Sequence, residues 1–111
     1  MGSTPSANEV HVEGRVSGVA TERVLPSGDR LVAIRVIVPR PPRRTRPGAT
    51  VDTFDCVAWT ARSQHALLRL CPADHVAITG TLRRRFWRSE RGAASRIEIE
   101  VSRVRRLRQP S

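Results

Sequence analysis

The chain has no lysine and no tyrosine, and only two residues each of cysteine, tryptophan and phenylalanine. Because lysine is missing, all twenty basic side chains are arginine, set against ten carboxylates. Part of that preference reads as the codon bias of a GC-rich genome, in keeping with abundant alanine, valine and proline. Cys56 and Cys71 lie far apart and form no CxxC pair. That spacing excludes a disulfide framework and the usual zinc patterns, and leaves buried, reduced thiols as the expectation. Pro72 separates Cys71 from His75, and His11 and His65 belong to other segments, so no metal or other cofactor is expected. No apolar run approaches the ~20 residues a membrane span requires, and no membrane partner is expected. Catalytic patterns are also missing. Asp29, Asp52, Asp55 and Asp74 are scattered, with no Ser/His/Asp order and no phosphate-cradling glycine loop, so the chain reads as a non-enzyme. Its 111 residues suffice for one domain.

What is present is positive charge. A net charge of +10 favours a polyanionic partner through steering and counterion release. The most informative stretch is Val76 to Arg88, VAITGTLRRRFWR. As a strand it places Val76, Ile78, Gly80, Leu82, Arg84 and Phe86 on one face, expected to be the core side. The other face carries Ala77, Thr79, Thr81, Arg83, Arg85 and Trp87. Arginine offers fixed charge and phosphate-matching donors, and tryptophan a flat surface on which a base stacks. That combination suits a groove for single-stranded nucleic acid. A solvated edge strand whose tryptophan covers a loop has the same pattern, and this segment alone does not separate the two.

Residues 1–7 read as a disordered arm, 8–108 as the domain, and 109–111 as its end. Asn8 to Ala20 alternates as a strand, with Gly14 and Gly18 marking a bulge or sharp coil. Pro26–Asp29 is a turn by composition. Leu31 to Val38 is a second strand, apolar on both parities and expected to be buried on most of both faces. Residues 39–50, rich in proline and arginine, form an extended basic loop. In it Arg40, Arg43, Arg44 and Arg46 read either as a mobile electrostatic arm or as a solvated insertion. Val51 to Trp59 is a third strand, with Phe54, Cys56 and Ala58 inward and Thr53, Asp55, Val57 and Trp59 outward. A helix is expected from Thr60 to Cys71, capped by Thr60 or Ser63, with Ala66, Leu67, Leu70 and Cys71 as its apolar stripe. After the Val76 strand and a turn at Ser89–Ala94, a last strand places Ile97, Ile99 and Val101 inward and Glu98, Glu100 and Ser102 outward. Arg103 to Arg108 reads as a basic tail. The order strand, strand, strand, helix, strand, strand is that of an all-β, five-stranded Greek-key OB-fold barrel with one short helix between strands three and four.

At this point the residues resemble the bacterial single-stranded-DNA-binding protein family, from Asn8 to about Leu107. NEVHVEGRVSG is similar to that family's opening, PSGDRLVAIRVIV to its turn and second strand, and CVAW to its third. VAITGTLRRRFW, with Gly80, Leu82 and Trp87, is the nearest match. The resemblance implies sequence-independent binding of single-stranded DNA in replication, recombination or repair, in the cytoplasm at the nucleoid. A primosomal-type replication accessory or an RNA-binding OB module is the alternative. The resemblance assigns base stacking to Trp59 and Trp87; from their charge, Arg35, Arg83, Arg85 and Arg88 and the loop arginines are expected on phosphates. Two family aromatics are replaced, by Thr53 and near Arg43. The acidic tail through which the family recruits enzymes is not found, so such recruitment is not expected. Self-association is expected, as a homotetramer or else a dimer, with the N-terminal strand and its polar face of His11, Glu13, Arg15 and Ser17 at the contact.

Overall fold

Alternating valines and two glycines let the first strand curl far enough to serve two neighbours. In the computed structural model, which describes residues 5–41, 48 and 50–108, β1 spans Val10–Val24. Its first half pairs antiparallel with β4 (His75–Ser89) and its second with β2 (Arg30–Pro39). The register of β1 on β2 shifts between Ser17 and Thr21, where Gly18 takes φ +78°, a conformation that glycine adopts without strain. β3 (Val51–Ala58) lies beside β2, and β5 (Gly92–Arg106) joins β3 in parallel and β4 antiparallel. The order β1-β2-β3-β5-β4 closes on itself as a barrel. The seam that closes it is short, with Cys56 against Ile99 and Val57 against Glu100.

The barrel is filled by alternate residues of every strand, among them Val16, Val32, Ile34, Val36, Cys56, Val76, Ile78 and Ile99. Phe54 packs against this core half-buried. Two glycines sit where strands nearly touch. A Cβ at Gly14 would land on the carbonyl oxygen of Ile37, and one at Gly80 on that of Glu100. The helix α1 (Ala61–Leu68) follows β3 and plugs one end of the barrel with Leu67, joined just beyond its last turn by Leu70. The Thr60 hydroxyl caps it, accepting from the Ser63 amide at 3.2 Å. Gln64, which is buried, donates through Nε2 to the carbonyl oxygens of Arg30 (2.8 Å) and Ala58 (3.3 Å) and so ties the helix to β2 and β3.

Several sequence expectations are corrected. The helix stops at Leu68 rather than Cys71, because its bonding tightens at the end: the Leu70 amide donates to the Leu67 carbonyl at 3.1 Å, three residues back instead of four. The Cys71 amide instead donates to Asp74 Oδ2 (2.8 Å), and the Cys71 side chain is exposed rather than buried. Arg103–Arg106 is not a tail but the end of β5, where Val104 turns inward because the β4–β5 register shifts between Thr79 and Gly80. Two-sided burial of β2 holds only near its start: Leu31 and Val32 are buried, but Arg35 is exposed and Ile37 half-buried.

The largest correction concerns β4 and β5. They stay paired out to Ser89 and Gly92, beyond the barrel, as a projecting ribbon closed by Glu90 and Arg91. The Cα radius of gyration, 16.1 Å, exceeds the ~13 Å of a compact chain of about 100 residues. Strand alternation continues along the ribbon after the core has ended. Leu82, Phe86 and Ile97, assigned inward by parity, are therefore exposed, Phe86 by 73%. Conversely Glu98 points outward and is nevertheless only 4% exposed, since arginines cover it.

Candidate nucleic-acid interface

The ribbon leans over the outer faces of β2 and β3 and encloses two adjoining clefts. The first, about 340 Å³, has an apolar floor of Leu25, Leu31, Ala33 and Val57. Its polar groups are Arg23, from the end of β1, with Arg85, Arg96 and Glu98 of the ribbon, and Trp87 walls it. The second, about 430 Å³ and more open, lies beside Trp59 and is bordered by Arg83, Arg85, Glu98 and Glu100. Arg85, Phe86 and Glu98 belong to both. Trp59 reaches this place because it follows β3 on the outward parity, immediately before the helix cap Thr60. Trp87 reaches it from the same face of β4 as Arg83 and Arg85, and is 46% exposed. Asn8 secures the root of the ribbon: its side-chain amide donates to the Leu82 carbonyl (2.9 Å) and accepts from the Leu82 amide (2.8 Å).

At the join of the clefts, the Arg85 guanidinium carbon stands 4.9 Å from the centre of the Trp59 ring, a cation–π arrangement. The Arg85 Nε donates to Glu98 Oε1 at 2.6 Å, and Arg96 faces the second Glu98 oxygen at 3.6 Å. Arg83 pairs with Glu100 (3.1 Å). Arg35 pairs with Asp55, its neighbour across β2 and β3, at 3.2 Å, which offsets the carboxylate on this outer face. These arginines are thus held in defined places by carboxylates, and any anion reaching them must compete with those partners.

The remaining sequence-assigned residues are placed differently. Arg88 is exposed near the ribbon tip and outside both clefts. Arg40 is not an arm residue. It donates twice to Asp52 Oδ1 (2.9 and 2.7 Å) and, through its amide, to the Thr50 carbonyl, closing the base of the loop. The hydrogen bond from Arg40 holds the Asp52 carboxyl below its ordinary range, and the same bond raises Arg40. Arg43, Arg44 and Arg46 lie outside the described residues. Sequence reasoning missed Arg23, Arg96 and the burial of Glu98. Position 96 directly opposes Arg85 in the ladder, so the register alone, had it been known, would have found it. Cys56 plays no part at the surface: burial, with the Asp55 charge adding to it, pushes its thiol up to about 12. Among the described residues no three His, Cys, Asp or Glu side chains are grouped as a metal site, and no helix is long and apolar enough to cross a membrane.

Comparison with known proteins agrees with this geometry. The model of the single-strand binding protein family matches residues 7–107. Among solved structures, a Plasmodium falciparum SSB complex with ssDNA superposes with a TM-score of 0.80 at 18% identity, over 96% of this chain and 99% of that one. That likeness establishes a shared fold. No curated protein sequence matches.

Proposed function

This chain belongs to the single-strand binding protein family and binds single-stranded DNA, and we propose that it does so, without catalysing a reaction, in the paired clefts under the ribbon. One observation carries the reading: Trp87 and Arg96 line one cleft over an apolar floor, Trp59 and Arg83 line the adjoining one, and Arg85, stacked on Trp59, belongs to both. The indoles stack bases, each contributing about 1–3 kcal/mol, and the arginines neutralise phosphates. Neither contact reads a base edge, so sequence preference is weak. The expected roles are those of such a binder in replication, recombination or repair. We further propose self-association as a homotetramer through β1. Its outward side chains His11 and Glu13 are exposed and bonded to each other at 2.9 Å, as a polar contact surface requires.

Thermal melting beside oligo-dT affinity tests the site. Trp87→Ala is expected to leave the melting temperature nearly unchanged and to weaken binding by about 1–3 kcal/mol. Phe54→Ala, on the core side of β3, should destabilise by about 3 kcal/mol, the low end for a core Phe, with normal binding by the folded fraction. A Trp87→Ala protein that melts far lower and binds normally when folded would remove Trp87 from the groove.

A further inference from the structure

The backbone ladder of β1 on β4 runs from Val10 opposite Gly80 to Arg15 opposite His75. Carried back two residues, the same register sets Asn8 opposite Leu82, and there a side chain takes over from the backbone. The Asn8 carboxamide has the donor and acceptor of a peptide group, and it directs them to the Leu82 carbonyl (2.9 Å) and amide (2.8 Å). On its other side Leu82 pairs with Ile99, and Ile99 with Cys56 of β3. These four residues form one row across the sheet, the last before β4 and β5 leave the barrel as the ribbon. We propose that Asn8 is a positioning residue for DNA binding, which holds the ribbon at its lean over the clefts. The proposal rests on the reading of the groove given above.

Leverage makes the root of the ribbon decisive. Arg83, Arg85, Trp87 and Arg96 all lie beyond the row of Leu82 and Ile99. Trp87 stands about 17 Å past Leu82, at ~3.4 Å per residue, so a tilt of about 10° displaces its indole by about 3 Å. That is close to the ~3.5 Å separation of stacked planes. Few bonds oppose such a tilt. The bonds from Arg83 to Glu100, Arg84 to Ser95 and Arg85 to Glu98 run from β4 to β5, and hold the ribbon's strands to each other. Among the described residues, two hydrogen-bonded or cation–π side-chain contacts tie the ribbon to other segments: Asn8 with Leu82, and Arg85 over Trp59. A base that stacks on the Arg85 side of Trp59 takes the place of the second. Asn8 is then the tie that remains while DNA is bound. Its loss is tolerable to the fold, since Asn8 and Leu82 are both exposed and water can satisfy the freed Leu82 groups.

The test compares Asn8→Ala and Asn8→Asp with the unmodified protein by thermal melting, oligo-dT affinity and acrylamide quenching of tryptophan before DNA is added. Asn8→Ala should melt nearly as the unmodified protein does. It should bind oligo-dT about 5- to 10-fold more weakly, as expected for the loss of one or two exposed hydrogen bonds. Acrylamide should quench it more strongly, because a ribbon that swings away uncovers Trp59 and Trp87. Asn8→Asp keeps the acceptor for the Leu82 amide and should fall between the two in both readings. Unchanged affinity and quenching in Asn8→Ala would overturn the proposal. So would a melting temperature so lowered that unfolding accounts for the whole loss of binding, which would make Asn8 structural only. DNA that binds the unmodified protein without altering its tryptophan emission would refute the groove instead; quenching without DNA still decides whether Asn8 holds the ribbon.

Discussion

Arg85 lies over Trp59, its guanidinium carbon 4.9 Å from the ring centre, and is fixed there by a 2.6 Å bond to the buried Glu98. Two stacked planes with a base between them need about 7 Å, twice the ~3.5 Å of van der Waals contact. A base that stacks on this side of Trp59 must therefore displace Arg85 and release it toward phosphate.

Glu98→Gln tests that exchange. The amide keeps the shape but loses the charge that holds Arg85 and Arg96. Loss of these charge-assisted contacts should cost about 1–2 kcal/mol of stability. Affinity for oligo-dT should rise, because a carboxylate leaves the groove and Arg85 is freed. Urea unfolding and dT titration on one sample read both effects; weaker binding by Glu98→Gln would show that Arg85 acts from its fixed position.

Electrostatics makes a separate prediction. Affinity should fall with salt at about 0.7 per phosphate neutralised, on logarithmic axes. Serine at Arg43, Arg44 and Arg46 together should reduce affinity and slope in step, with the melting temperature nearly unchanged. Arg40 belongs in a different experiment, since its partner is Asp52 and its substitution should loosen the loop base rather than the salt slope. An unaltered slope in the triple variant would leave the loop as a solvated insertion.

Barrel closure depends on Gly14 and Gly80, each of which faces a backbone carbonyl at the distance of a methyl clash. Alanine at either position should destabilise by about 1–3 kcal/mol, because a carbonyl in a ladder yields less readily than a side chain. Gly28, with open space around its Cα but φ +91°, should lose less, through backbone strain alone. Denaturant midpoints of the three variants check this order.

The cysteines should separate by reactivity. Exposed Cys71 should react with a thiol reagent in the native protein and buried Cys56 only after unfolding. The Cys56 thiol titrates at about 12 when folded against 9.0 as the ordinary value, so the folded state favours the protonated form. That contribution is complete below pH 9.0 and is lost as the pH rises toward about 12. Alkaline unfolding curves for Cys56→Ala should lack that decline. A Cys56 that reacts in the native protein at the Cys71 rate would contradict the burial.

The element order, the position of the helix and the outward parity of Trp59 and Trp87 were all legible, because the two-residue period of a strand fixes faces locally. The end of the core along β4 was not. Leu82 and Phe86 continue the same alternation as Val76 and Ile78, and only the closed ladder shows that nothing remains for them to pack against. Glu98 was legible as outward but not as buried, since its cover comes from Arg85 and Arg96. The Arg40–Asp52 clamp required the β2–β3 register, which sets Val38 opposite Asp52.

The most direct measurement uses the protein's own fluorescence. It has two tryptophans and no tyrosine, and both tryptophans line the proposed groove, so almost all emission arises at the site. Emission and the anisotropy of a labelled oligo-dT are followed in one titration at fixed salt. Binding in the groove predicts saturable quenching that tracks the anisotropy point for point. Anisotropy that rises to saturation while tryptophan emission stays constant would mean that the DNA binds elsewhere on this positively charged chain, and would contradict the account.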